Sequence, residues 1–82
     1  MITPEQLQTL INYKAPELTR LAKEGGWPGP AFSSCKFLGI TNGGQICYMG
    51  VYLCEGGTDS TKVFLNHTAG RVTADIQLTE WA

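Results

Sequence analysis

Trp27-Pro28-Gly29-Pro30 restricts this chain more than any other feature. Proline fixes φ and removes a backbone donor, so neither a helix nor an inner strand runs through such a segment. The tetrapeptide is a rigid connector, and the hydrophobic period differs on its two sides. Before it the apolar residues recur at helical spacing; after it they alternate as in strands.

Upstream, Leu7, Leu10, Ile11, Leu18, Leu21 and Ala22 fall on one helical stripe. Thr3, Pro4 and Gln6 form a helix start, with a capping box and a proline in the first turn. Pro16 interrupts the stripe, because it lacks a donor and disfavours helix at Ala15. Segment 1–26 is therefore expected to be one kinked helix or two short helices meeting near Lys14, ended by Gly25-Gly26. Lys14, Arg20 and Lys23 alternate with Glu17 and Glu24 as a solvated face.

Downstream, three turn signals separate four strands. Asn42-Gly43-Gly44 predicts a short hairpin turn, Gly56-Gly57-Thr58-Asp59-Ser60 a longer loop, and Ala69-Gly70 a tight turn. The strands are expected over 34–41, 45–54, 61–68 and 71–79, with 27–33 as connector. Short connections join antiparallel neighbours. The expectation is one α+β domain over 1–82: a kinked helix or helix pair on one face of a four-stranded antiparallel β-meander in 34–82.

Alternation assigns the faces. Val72, Ala74, Ile76 and Leu78 point to the core, and Arg71, Thr73, Asp75 and Gln77 point away. An Ala69-Gly70 turn places Leu65 beside Ala74 and Val63 beside Ile76. Cys47, Met49, Val51 and Leu53, with Leu38 and Ile40, are expected to complete this helix-covered face. The opposite face then receives Phe37, Tyr48, Tyr52 and Phe64, with Ile46 and Cys54 nearby and Gly39 and Gly50 leaving room for a ring or a partner backbone. A half-solvated sheet normally carries polar residues there, and exposed aromatic patches mark interaction sites. Phe37, Tyr48, Tyr52 and Phe64 are accordingly the candidate binding residues. The competing reading folds Trp27, Phe32 or Trp81 over them as a second small core.

Chemistry finds little purchase. Cys35, Cys47, Cys54 and His67 lack close ligand pairs, and the face assignment splits them between the two sides, so no metal or cofactor is expected. His67 is the only histidine, and no carboxylate pair is forced together. No glycine-rich segment matches a phosphate-binding pattern. With a net charge of −1 and no basic run, nucleic acid is not an expected partner. Charged residues make up 16%, below the usual share of about 25%, which favours a protein partner or self-association as a homodimer. No apolar stretch reaches the roughly 18 residues of a membrane span. The opening residues lack a signal-peptide pattern, and an odd cysteine count suits reducing conditions, so a cytoplasmic setting is expected.

The expected function is a small non-enzymatic protein-binding module, such as an inhibitor, adaptor or accessory subunit, acting through the aromatic sheet face. The alternatives are a small enzyme or ligand-binding subunit with a site at an oligomer interface, involving His67, Cys35 or Cys54, and a structural subunit of a larger assembly.

Overall fold

A computed structural model describes residues 3–77 of the chain. Two helices, α1 (Pro4–Ile11) and α2 (Ala15–Glu24), precede four strands, β1 (Phe32–Ile40), β2 (Ile46–Cys54), β3 (Gly57–Thr68) and β4 (Arg71–Gln77). The strands form one open antiparallel sheet in the order β1-β2-β3-β4, with the helices on one face. This is the α+β meander expected from the sequence.

The helix ends follow local chemistry. The Thr3 hydroxyl accepts from the Gln6 amide at 3.1 Å, and the Gln6 side chain accepts from the Thr3 amide at 2.8 Å. Around Pro16 the chain resolves the two alternatives in favour of separate helices, with a break over residues 12–14. α2 ends in a Schellman motif: Trp27 N–H bonds to the Ala22 carbonyl at 2.8 Å and Gly26 N–H to that of Lys23 at 3.1 Å. Gly26 takes φ +105°, which an L side chain resists. The motif delivers Trp27 into the core, where its indole N–H donates to the Pro30 carbonyl at 2.9 Å.

Sheet register is set by the turns. Thr68 pairs with Arg71 across Ala69 and Gly70, both at positive φ, as a type I′ turn requires. Leu65 then meets Ala74 and Val63 meets Ile76, as the sequence predicts. The second turn differs from expectation. Cys54 pairs with Gly57, so the connection is only Glu55-Gly56, and Thr58, Asp59 and Ser60 belong to β3. Their polar composition imitates a loop, yet they pair with Leu53, Tyr52 and Val51. At the other end of the connector, β1 begins earlier than expected because the Phe32 amide is held by the Thr19 hydroxyl at 2.9 Å. The expected continuation of β4 to Thr79, including Leu78, lies outside the described residues, as does Trp81.

This register reverses the expected faces of β2. Ile46 pairs with Leu65 and Tyr48 with Val63, so Ile46, Tyr48 and Gly50 face the helices. Cys47, Met49, Val51 and Leu53 face the other way. Every position of β2 except Gly50 is apolar or aromatic, so alternation alone cannot choose a side. What selects Tyr48 is its hydroxyl. It accepts from Tyr13 N–H at 3.0 Å and donates to the Leu10 carbonyl, so it caps the C-terminal end of α1. Gly50 is needed on the same side, because a β-carbon there would sit 2.7 Å from the Phe32 ring.

In β1 the expected inward placement of Leu38 fails, while Ile40 pairs with Ile46 on the helix side but is not buried there. A bulge between Phe37 and Gly39 shifts the register, and Leu38 and Ile40 are 44% and 54% exposed. The core comprises Leu10, Leu18, Leu21, Ala22, Trp27, Phe32, Ile46, Tyr48, Val63, Leu65 and Ala74.

Candidate functional site

The four rings proposed from the sequence do not share a face. Phe37 lies opposite Tyr48 with ring centroids 5.9 Å apart, edge to face. Tyr52 packs edge-on against Trp27 at 5.0 Å and tilted against Phe32 at 6.5 Å. These three belong to the helix-covered side, and Tyr48, 1% exposed, is among the most buried residues described. Phe64 alone of the four faces away, opposite Cys47 on one neighbour and Asp75 on the other. Cover by Trp27 and Phe32 does occur over Tyr52, but as part of the main core.

The face left open has a different composition. Met49 and Val51 are half-buried and Leu53 is 64% exposed. With Cys47 they form an apolar stripe along β2, about 20 Å from first to last residue at strand rise. Phe64 extends it sideways at the Cys47 end. The flanks are polar. Ser34 and Ser60 border Val51, Thr58 borders Leu53, and Lys36 and Lys62 stand on either side of Met49. The two lysine α-carbons are two strand spacings apart, about 10 Å. Among the described residues the only ion pair is Arg20–Glu24 at 3.3 Å, so neither lysine is matched by a carboxylate there. Asp75 borders Phe64 and accepts from the Asn66 amide at 3.2 Å.

The thiols and the histidine are dispersed. Cys35 lies under the helices, within 3.5 Å of the Tyr13 carbonyl, and burial pushes its thiol up despite nearby Lys14. Cys47 is on the open face, where burial likewise raises its thiol and Lys62 opposes the rise. Cys47 thus lies on the side opposite to the one expected from the sequence. Neither thiol is primed as a thiolate at neutral pH. Cys35 pairs with Gly50, which puts Cys54 four residues farther along β2, about 13 Å away and beyond disulfide reach. All three are free. His67 stands at the opposite end of β3 from Cys54, about 33 Å off at strand rise. Within one chain, no site holds them together. Among the described residues no group of three or more His, Cys, Asp or Glu side chains converges as a metal centre would require.

His67 does line a cleft, with Gln6, Thr9, Leu10, Tyr13 and Val72, between α1 and the β3–β4 hairpin. Its volume is about 120 Å³, whereas small-molecule pockets usually span roughly 300–1,000 Å³. No described helix is long and apolar enough to cross a membrane. Comparison with family models, with curated proteins and with solved structures finds no match.

Proposed function

We propose that the chain is a small non-enzymatic protein-binding module that docks its partner on the open face of the sheet. The carrying observation is the stripe of Cys47, Met49, Val51 and Leu53, with Phe64 beside it, on the face that the helices leave uncovered. A sheet with one solvated face normally shows polar residues there, and apart from Phe64 the paired positions of its other strands do so. Ser34, Lys36, Thr58, Ser60, Lys62 and Asp75 follow that rule while β2 breaks it. Contiguous exposed apolar surface rimmed by polar groups is the signature of an interaction site. The dispersion of the thiols and His67 favours binding over catalysis. Three unpaired thiols suit a reducing compartment, and the cytoplasm is the setting we propose.

Placing a photo-crosslinking phenylalanine analogue at Leu53, and separately at the exposed Gln8 of α1, tests this reading in a native extract. The expected result is a discrete adduct from position 53 and none from position 8. Excess unmodified protein should compete it away, and a Leu53→Asp variant should not. Equal labelling from both positions, or none from position 53, would overturn it.

A further inference from the structure

Resting on that reading, we infer that the partner element is an amphipathic helix whose apolar stripe is bordered by carboxylates. Backbone hydrogen bonding selects the helix. β2 and β3 are inner strands whose backbone groups are engaged by neighbours on both sides. An extended segment laid on this face would find no ladder to join, and its own N–H and C=O groups would be desolvated without partners. A helix satisfies its backbone internally. The dimensions agree, since a stripe of about 20 Å matches about 13 helical residues. The other face of this sheet already holds two helices in that manner. A partner helix would complete a three-layer arrangement.

Charge selects the border. Lys36 and Lys62 flank Met49 at the middle of the stripe, unmatched among the described residues, on a chain whose net charge is −1. Carboxylates on both edges of a docked helix would meet them. The same pair argues against a second copy as occupant. In a face-to-face sandwich, a two-fold axis running along the strands through Met49 sets each Lys36 over the partner copy's Lys62. An axis across the strands sets each lysine over its own counterpart. Either arrangement opposes like charges, which disfavours the contact.

Two synthetic helical peptides of about sixteen residues, sharing one leucine stripe but bordered by Glu in one and Lys in the other, test the assignment on the intact chain. Fluorescence anisotropy at low and high salt gives the affinities. The Glu-bordered peptide should bind about tenfold more tightly, the sum of two surface-strength ion pairs, and the gap should narrow as salt rises. A Lys36→Glu/Lys62→Glu variant should reverse the preference, and Lys36→Gln/Lys62→Gln should erase it, each with an unchanged circular dichroism spectrum. Equal affinity of the two peptides would overturn the charged border, and so would a preference that survives both variants. Failure of both peptides to bind would overturn the helix. If crosslinking from position 53 persists in either case, the docking face stands and only this inference falls; if it fails too, both fall.

Discussion

The two faces of β2 carry the same kind of residues under opposite conditions. On the helix side, Ile46, Tyr48 and Gly50 sit in a filled core: Tyr48 is hydrogen-bonded to two backbone groups, and the Phe32 ring occupies the space above Gly50. On the open side, Cys47, Met49, Val51 and Leu53 have nothing from the described residues laid over them. Hydrophobicity is alike on the two faces, so it does not distinguish core from surface here. The difference lies in polar partners and shape. Burial of a phenol requires acceptors and donors at its tip, and only the α1–α2 break offers them.

The comparison breaks most sharply at Trp27. This residue is 7% exposed and stacks on Phe32 at 5.5 Å, so it roofs the covered face. Trp27→Ala is expected to cost about 3–5 kcal/mol in chemical denaturation, as large aromatic truncations in cores do. A loss below about 1 kcal/mol would mean that the roof contributes little.

Tyr48→Phe isolates the polar half of the contrast. It keeps the ring and strips partners from Tyr13 N–H and the Leu10 carbonyl, so a loss of about 1–3 kcal/mol is expected. The same hydroxyl predicts a pH dependence. Burial raises the Tyr48 pKa above 10.0, and the thiols of Cys35 and Cys47 rise above 9.0 for the same reason. The folded chain then holds protons that the unfolded chain has released, so stability is fully present below about pH 9 and falls as pH climbs past 9 and then 10. Denaturation midpoints across that range should decline, and Tyr48→Phe should lessen the part above pH 10, to which the raised phenols of Tyr13 and Tyr52 also contribute. A midpoint that rises with pH there would contradict the burial of these groups.

Turn geometry gives a smaller, opposite effect. Ala69 holds φ +52°, a conformation that costs an L residue about 1–2 kcal/mol. Ala69→Asn creates the Asn-Gly pair favoured in type I′ turns and should stabilise by about 0.5–1 kcal/mol, read as a higher thermal midpoint. Destabilisation would show that the β3–β4 hairpin uses another turn.

The smallest effect belongs to the open face. Leu53→Ser should change stability by less than about 0.5 kcal/mol, because the side chain is mostly exposed already. Set beside the Trp27 result, this sharpens the contrast: one face stabilises the chain and the other contributes little to its stability. A Leu53→Ser loss of about 2 kcal/mol would place Leu53 in a core instead.

By itself the sequence determined the parts governed by local chemistry. Thr3 and Gln6 specify the start of α1, and Pro16 an interruption of the helical stripe, which the structure resolves as two helices. Ala69-Gly70 and the alternation of Val72, Ala74 and Ile76 specify the β3–β4 register, because turn length and period agree there. The candidate site was only partly legible. An apolar sheet face could be anticipated from β2, but not which of its two sides remained open. One local signal could have decided it. Reading Glu55-Gly56 as a two-residue turn pairs Cys54 with Gly57, which puts Tyr48 beside Val63, already known to face the helices. The polar run Thr58-Asp59-Ser60 concealed that turn by resembling a loop. Only tertiary structure supplied the rest: the Tyr48 hydroxyl set between Leu10 and Tyr13, and the Phe32 ring over Gly50. Those contacts join residues about 18 to 38 positions apart. Neither alternation nor propensity reaches across such distances, so the partners that hold Tyr48 and Gly50 on the covered side were settled by packing.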